Sequence, residues 1–345
     1  MKIKMAQKKY ELATDIAVSA NTYAGELALP YLTPAVKTAT SVANGYVTSL
    51  DAITSKAVVS SLTAGTMIKA SACDWDNDPT TLTLKEKVLT TVDMMVNERV
   101  CRGTIYPTWV GRNFNGRNGA IPSDFATFLM STVAGKTAEE IEDRIWIGGA
   151  LPNFTGFLSN DAVFDRAGFG ASQLVCGASS GGYVGAGLTN GQAITATGSA
   201  VVNADLGLVY DKAVAQCSGI LGKSDTQFLV NAKTYGHYMM HLANSGSGQG
   251  VNMQGSNQSF ADITFLGIPV NVCTGMPDDC IILCQASNLF FGTNLGTDTT
   301  EAKMIPFYEY DGSDNVGISM RFQVGVQVGV PENVVVGAKT AVLPA

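Results

Sequence analysis

The chain has 345 residues, of which 46% are hydrophobic and only 15% are charged, so it can bury a large core and is not mainly disordered. Its formal net charge of −7 disfavours a free-standing nucleic-acid-binding protein, because such proteins are normally basic. No apolar run approaches the roughly 18 residues of a membrane helix. The seven cysteines form no CxxC pair, so neither a disulfide framework nor a zinc ribbon is expected.

The N-terminal part of the chain predicts an arm followed by a hairpin. Residues 1–52 show no strong periodic element, and the stretch from 23 to 34, which contains two prolines, is predicted to be extended. Two strand-like runs follow, at 56–73 and 81–101, with a turn-rich segment between them. Together they predict one long hairpin. Because an isolated hairpin is marginally stable in water, it must lie on something, such as a neighbouring subunit.

Helical patterns occupy the middle of the chain. Ser123 and Asp124 are typical of a helix start, and the apolar spacing that follows favours one long helix that ends before Gly148, although two helices that abut near Gly135 are the alternative. A second helix is predicted from Asn203, and a shorter one over 232–243. Strands are predicted at 226–230, 262–272, 281–284, 289–292, 304–310 and 316–330. The pattern indicates an α+β protein with a helix-containing middle between β-rich ends.

Two long stretches carry no charge. Residues 167–204 contain no charged side chain, and residues 242–261 are mostly Gly, Ser, Asn and Gln. Charge is depleted at the centres of protein interfaces, so these stretches suit surfaces that meet other protein. Flexible Gly/Ser loops are the alternative interpretation.

The motifs that resemble catalytic or metal sites are weak. Ser179 lies in a G-x-S-x-G pattern, but the glycine-rich sequel cannot form the helix that a nucleophile elbow requires. His237 and His241 have a possible metal-ligand spacing, but no acidic third ligand is close in sequence. Cys280 and Cys284 fall on one face of a predicted buried strand and are interpreted as small core residues.

Several blocks of sequence, taken in order, resemble the major capsid proteins of tailed double-stranded DNA bacteriophages with the HK97 fold. These blocks lie at 83–89, 265–270, 286–295 and 325–333, and the likeness covers most of the chain from about Leu50 onward. The hairpin block is most similar to capsid proteins of phages that infect Bacteroidota.

This resemblance implies an HK97-like capsid fold of the α+β class with five segments. They are an N-terminal arm at 1–52, an extended E-loop hairpin at 53–105, a peripheral domain at 106–198 with a spine helix at about 123–147, an inserted axial domain at 199–286, and return strands of the peripheral domain at 287–345. The resemblance implies a structural shell protein and no enzyme. An encapsulin-like compartment shell, which shares the fold, is the alternative, and a serine hydrolase that uses Ser179 is a less favoured one.

The family also implies how such a chain works. It self-assembles into pentamers and hexamers of an icosahedral virion shell, in the host cytoplasm, with a scaffolding protein and a portal as partners and decoration proteins as an optional addition. It encloses double-stranded DNA non-specifically, with no cofactor, metal or membrane. The resemblance places Lys85, Glu86 and Lys87 of the E-loop at the intersubunit contact. It places Ser247, Gln249 and Asn252 in a loop at the capsomer centre.

Overall fold

The structure is a computed structural model, and it describes residues 21–24, 29–65, 68, 82–101, 125–147, 156–158, 174–176, 199–244, 263–278, 280–295, 297, 300–307, 310, 312–313 and 315–338. The helices in these parts of the chain are α1 (Leu29–Lys37), α2 (Thr40–Ala43), α3 (Phe125–Ile147), α4 (Ser199–Gln216) and α5 (Ala232–Asn244). The strands are β1 (Asn21–Ala24), β2 (Thr48–Leu50), β3 (Lys56–Ala64), β4 (Leu82–Thr90), β5 (Val92–Cys101), β6 (Leu174–Cys176), β7 (Thr226–Val230), β8 (Thr264–Phe265), β9 (Ile268–Val272), β10 (Cys280–Gln285), β11 (Leu289–Thr293), β12 (Glu301–Pro306), β13 (Asn315–Val328) and β14 (Val334–Ala338).

Two six-stranded sheets and one separate hairpin organise the described residues. Sheet one has the order β1-β12-β13-β11-β2, and β5 also pairs with β13. Because β5 and β12 both pair with residues 316–321, they lie on opposite edges of β13. Sheet two has the order β6-β14-β10-β7-β9-β8, and the hairpin consists of β3 and β4 alone. The long strand β13 is therefore the organising element of sheet one.

Sheet two separates two hydrophobic cores. All residues of β7 and β10 are buried, which is the pattern of strands covered on both faces. Alternate residues point to different cores: Leu229 and Ile282 pack with α1, α3 and sheet one, whereas Phe228 and Leu283 pack with α4 and α5. The helix-containing middle of the chain is thus one layer over sheet two, and the helix α3 belongs to the other side.

The prediction of an extended segment over 23–34 is wrong for its second part. Residues Leu29–Lys37 form α1, which includes Pro30 in its first turn, where a missing N–H is tolerated, and Pro34 in its interior. Leu32, Ala35 and Val36 follow helical spacing and are fully buried, and α1 packs on α3. Burial of this apolar stripe outweighs the low helix propensity of proline.

The central helix is continuous, as predicted: α3 runs from Phe125 to Ile147 through Gly135. The helix α5 and the strand β7 also lie where the sequence places them. None of the described helices combines the length and apolar character needed to span a membrane.

The predicted hairpin is shorter than its sequence pattern. β3 pairs with β4 from Lys56↔Thr90 to Ala64↔Leu82. After Thr91 the chain continues as β5, which pairs with β13 over ten residue pairs, from Val92↔Val324 to Cys101↔Asn315. The second half of the predicted second strand therefore pairs within its own chain, and only the β3–β4 part forms no strand pairing with the two larger sheets.

Candidate functional site

The β3–β4 hairpin has one apolar face that the described residues leave open. Residues directly opposite each other in an antiparallel pair share a face, and so do alternate residues along each strand. One face therefore carries three successive pairs, which are Val58 with Val88, Ser60 with Glu86, and Leu62 with Leu84. Val58, Leu62 and Leu84 are 59%, 66% and 57% exposed. We call the surface formed by these residues and Leu82 the hairpin apolar face. Single exposed aliphatic residues are common, but a contiguous group of them marks an interaction surface.

The other face of the hairpin fixes its base to sheet one. Leu89 is fully buried and lies so close to Gly292 that a Cβ at this glycine would collide with it. The side-chain amide of Gln327 donates a hydrogen bond to the carbonyl of Val88 at 3.0 Å. The absence of a side chain at Gly292 thus makes room for Leu89, and this socket fixes the base of the hairpin on sheet one.

The three charged residues predicted at the subunit contact are divided between the two faces. Glu86 lies opposite Ser60, in the middle of the hairpin apolar face, whereas Lys85 and Lys87 lie opposite Ser61 and Val59 on the other face. Glu86 and Lys85 are exposed and Lys87 is partly buried. They therefore do not form one charged surface, and a covering partner meets Glu86 without the two lysines.

The residues predicted for the capsomer-centre loop, Ser247, Gln249 and Asn252, lie outside the described residues, and so does Ser179. The described parts that frame this loop are the end of α5 at Asn244 and the chain from Ile263 onward. His237 and His241 lie on α5 and are partly exposed. Within the described ranges, no three His, Cys, Asp or Glu side chains come together in a way that could hold a metal ion.

The cysteines have two different roles. Cys280 and Cys284 are fully buried free thiols, as predicted, and burial raises the pKa of both. Cys217, at the end of α4, takes part in a disulfide. The scattered cysteines gave no sign of this bond, because a pairing between distant segments leaves no spacing pattern in the sequence.

A buried polar joint that the sequence patterns did not indicate connects α2 to α3. The carboxylate of Glu142 is 2% exposed and accepts hydrogen bonds from the backbone N–H of Ser41, at 2.9 Å, and from its hydroxyl, at 2.5 Å. The indole N–H of Trp146 donates to Ser41 Oγ at 3.0 Å and lies 3.3 Å from Glu142 Oε1. The only local signal is the i, i+4 spacing of Glu142 and Trp146 on one helix face.

The same joint reaches the turn that follows β9. The hydroxyls of Thr40 and Thr274 are 3.2 Å apart, and Gly275 lies so close to the backbone of Glu142 that any side chain there would collide with it. Cys273 is buried beside the joint, and burial raises the pKa of its thiol, as does the nearby Glu142 carboxylate, although a hydrogen bond with Ser41 opposes this. The joint therefore fixes α3 to both the N-terminal helices and sheet two.

No protein-family model and no curated protein matches this chain. Solved structures do match it, among them the capsids of two GTA particles, and the chain shares their fold. The capsid of a native GTA particle aligns with a TM-score of 0.52 and 14% identity over 86% of this chain and 88% of that chain. The capsid of an empty GTA particle aligns at 0.50 and 16% over 86% and 88%, and a structure of Gordonia phage Cozz at 0.51 and 14% over 88% and 87%.

Proposed function

We propose that the chain is a major capsid protein of the HK97-fold class, which self-assembles into pentamers and hexamers of an icosahedral phage head around double-stranded DNA. The observation that carries the proposal is the hairpin apolar face. Within the described residues it has no cover, yet its base is held rigidly by the Leu89 socket. A fixed, extended apolar ribbon is suited to lie on a second subunit.

The proposal assigns roles to the other parts of the chain. Within the segment 53–105 the β3–β4 hairpin is the E-loop, whereas β5 belongs to sheet one of the peripheral domain. The helix α3 is the spine of that domain and the region 199–286 is the axial domain, with the 1–52 arm and the 287–345 strands completing the subunit. The uncharged loop that contains Ser247, Gln249 and Asn252 meets its symmetry copies at the capsomer centre, where repeated like charges would repel one another. A scaffolding protein and a portal are the further partners that this class requires.

The acidic composition of the chain is compatible with enclosed DNA. The formal net charge is −7. A shell has to contain packaged DNA rather than bind it tightly, so it does not need the strong positive charge of a DNA-binding domain. Contact with DNA is proposed to be non-specific.

The test is electron microscopy and light scattering of the purified full-length chain at micromolar concentration, with and without a scaffolding protein. We expect closed shells or capsomers. A stable monomer under every condition would contradict the proposal. The contents of the particles distinguish the two shell hypotheses, because a phage head isolated from an infected host contains double-stranded DNA, whereas an encapsulin-like compartment contains a cargo protein.

A further inference from the structure

Glu86 creates an electrostatic requirement at the hairpin apolar face. Its neighbours on that face are Val88 and Leu84 along β4, with Ser60 directly opposite. Any subunit that covers these aliphatic side chains also removes water from the carboxylate between them. A carboxylate that loses its water without gaining a cation or hydrogen-bond donors is strongly destabilised. A positively charged group near the centre of the covering surface meets this need most directly, because it also offsets the charge.

One face of sheet one packs into the core through Ile318, Met320 and Phe322 of β13, and we call the opposite face the outer face of sheet one. It provides a surface of the matching kind. The register places Met95 of β5, Arg321 of β13 and Glu301 of β12 side by side. Four residues away along β13, and on the same face, Gly317 lies between Arg99 and Ile305. Met95 is 58% exposed, and the ring of Phe307 lies over Gly317. This face thus combines exposed Met95 and the partly exposed Ile305 and Phe307 with cations on three paired strands. A two-stranded ribbon can lie on such a face at the normal distance between packed sheets.

Arg321 is the cation of this face that is available for a new partner. Lys303 is paired with Glu301, and the guanidinium of Arg99 stacks 4.4 Å from the centroid of the Phe307 ring. Arg321 is exposed, and no ion pair or hydrogen bond of its side chain is found within the described part of the chain. The nearest carboxylate in its row, Glu301, is already engaged by Lys303.

We propose that the hairpin apolar face of one subunit docks on the outer face of sheet one of a second copy of this chain, with Glu86 paired to Arg321. This inference rests on the shell function proposed above and adds the receiving surface and the residue that sets its register. The aliphatic side chains of the hairpin contribute the buried area. The single ion pair selects one position along the ribbon, because a shift by one or two residues would leave Glu86 unpaired.

A charge exchange tests the pair. Glu86→Arg and Arg321→Glu should each lower the yield of shells by at least about tenfold, because like charges would then meet in the contact. The double variant Glu86→Arg with Arg321→Glu should restore shells to near the wild-type yield. Glu86→Gln, which changes charge but hardly changes shape, should cause a smaller loss. Circular dichroism and the melting temperature establish that each variant is folded.

Two matched controls identify the face and the partner. Lys85→Glu reverses a charge on the opposite face of the same strand, and its effect on shell yield should not be relieved by Arg321→Glu. Arg144, a cation in the last turn of α3, serves as the wrong partner, and Arg144→Glu should not rescue Glu86→Arg. If the wild type forms shells and the Glu86/Arg321 exchange rescues nothing, or if Arg144→Glu rescues instead, the pairing is overturned. If the wild type forms no shells at all, the shell function itself fails, and the pairing falls with it.

Discussion

Glu142 caps a helix to which it does not belong. Its carboxylate accepts the backbone N–H of Ser41, which lies in the first turn of α2 and is 101 residues away in sequence. The residue before that helix, Ala39, has no side-chain oxygen that could accept a hydrogen bond from these N–H groups. The first N–H groups of a helix need an acceptor, and Glu142 of α3 provides one. The other oxygen of its carboxylate accepts a hydrogen bond from the hydroxyl of Ser41.

Glu142→Ala should therefore destabilise the subunit by about 2–3 kcal/mol, because it leaves the buried N–H and hydroxyl donors of Ser41 without their acceptor. Glu139→Ala is the matched control on the same helix. Glu139 forms an exposed ion pair with Lys136 at 2.6 Å, which contributes roughly 0–1 kcal/mol. Chemical unfolding of both variants measures the difference, and equal stabilities would contradict the importance of the joint.

Asp143 should make stability depend on pH. Burial raises the pKa of its carboxyl above the ordinary value of 3.8, and Glu139 and Glu140 raise it further, although Lys136 opposes them. A raised carboxyl pKa means that the folded state binds the proton more tightly. The destabilisation of the folded state therefore develops as pH rises from the pKa of this carboxyl in the unfolded chain through its raised pKa in the folded chain. It is absent at lower pH.

Asp143→Asn should accordingly stabilise the subunit at pH 7 by no more than about 0.5 kcal/mol, since the group is largely exposed and screened by solvent. The gain should disappear below the ordinary carboxyl pKa. Melting temperatures across pH 3 to 7 measure it, with the exposed strand residue substitution Glu98→Gln as the control. A gain that persists at the acidic end would show that it does not come from this carboxyl.

Leu84 and Leu89 lie on opposite faces of β4. Substitution of Leu84 should mainly affect shell formation, whereas substitution of Leu89 should mainly affect the stability of the subunit. Leu84→Ser should change the stability of the subunit by no more than about 0.5 kcal/mol, because this side chain is exposed, but it should reduce shell formation. Leu89→Ala should cost about 2–5 kcal/mol, because Leu89 is fully buried. Unfolding curves and electron microscopy separate the two effects. Normal assembly of Leu84→Ser would argue against the hairpin apolar face as a contact.

Gly292 and Gly207 provide a second contrast. An alanine at Gly292 would bring its Cβ against Leu89 and to within 2.9 Å of Ile53, so Gly292→Ala should destabilise the subunit by about 1–3 kcal/mol. Gly207 lies inside α4 with open space around it, and Gly207→Ala should stabilise by about 1 kcal/mol, because alanine is the better helix former. If the melting temperatures of Gly292→Ala and Gly207→Ala change in the same direction, close packing of Leu89 against Gly292 is contradicted.

The proposed capsomer-centre loop has its own test. Ser247→Asp should weaken capsomers more than it weakens folding, because the new charge would be repeated around a five- or six-fold axis. Light scattering of capsomers beside a melting curve measures both quantities. Unchanged assembly with a normal melting curve would count against placing this loop at the axis.

The sequence predicts those elements whose cause is local. The strand β7 and the helices α3 and α5 follow from apolar spacing and from residues that start and stop helices, all within a few turns of chain. The helix α1 was missed because its two prolines argue against a helix, and only its burial against α3 reverses that preference.

The candidate surface was only partly predictable. The hairpin and its lack of cover follow from two apolar runs and a turn, but the transfer of β5 to β13 depends on a partner more than 200 positions away. Strand register then decides that Glu86 shares a face with Leu84 and Val88 and not with the adjacent lysines. The Glu142–Ser41 hydrogen bond could not be predicted for the same reason, because neither residue lies in a recognisable sequence pattern and only the fold brings them together.

The continuity of β4 with β5 would have a mechanical consequence in the proposed shell. A neighbour that pulls on the hairpin along its length transmits the force through Thr91 into the ten-pair ladder between β5 and β13. The hydrogen bonds of that ladder lie across the strand direction, so they are loaded together in shear and are not opened one after another. In the proposed shell the hairpin would therefore carry tension into β13, the longest described strand of sheet one, and this ladder would help the subunit to resist outward pressure.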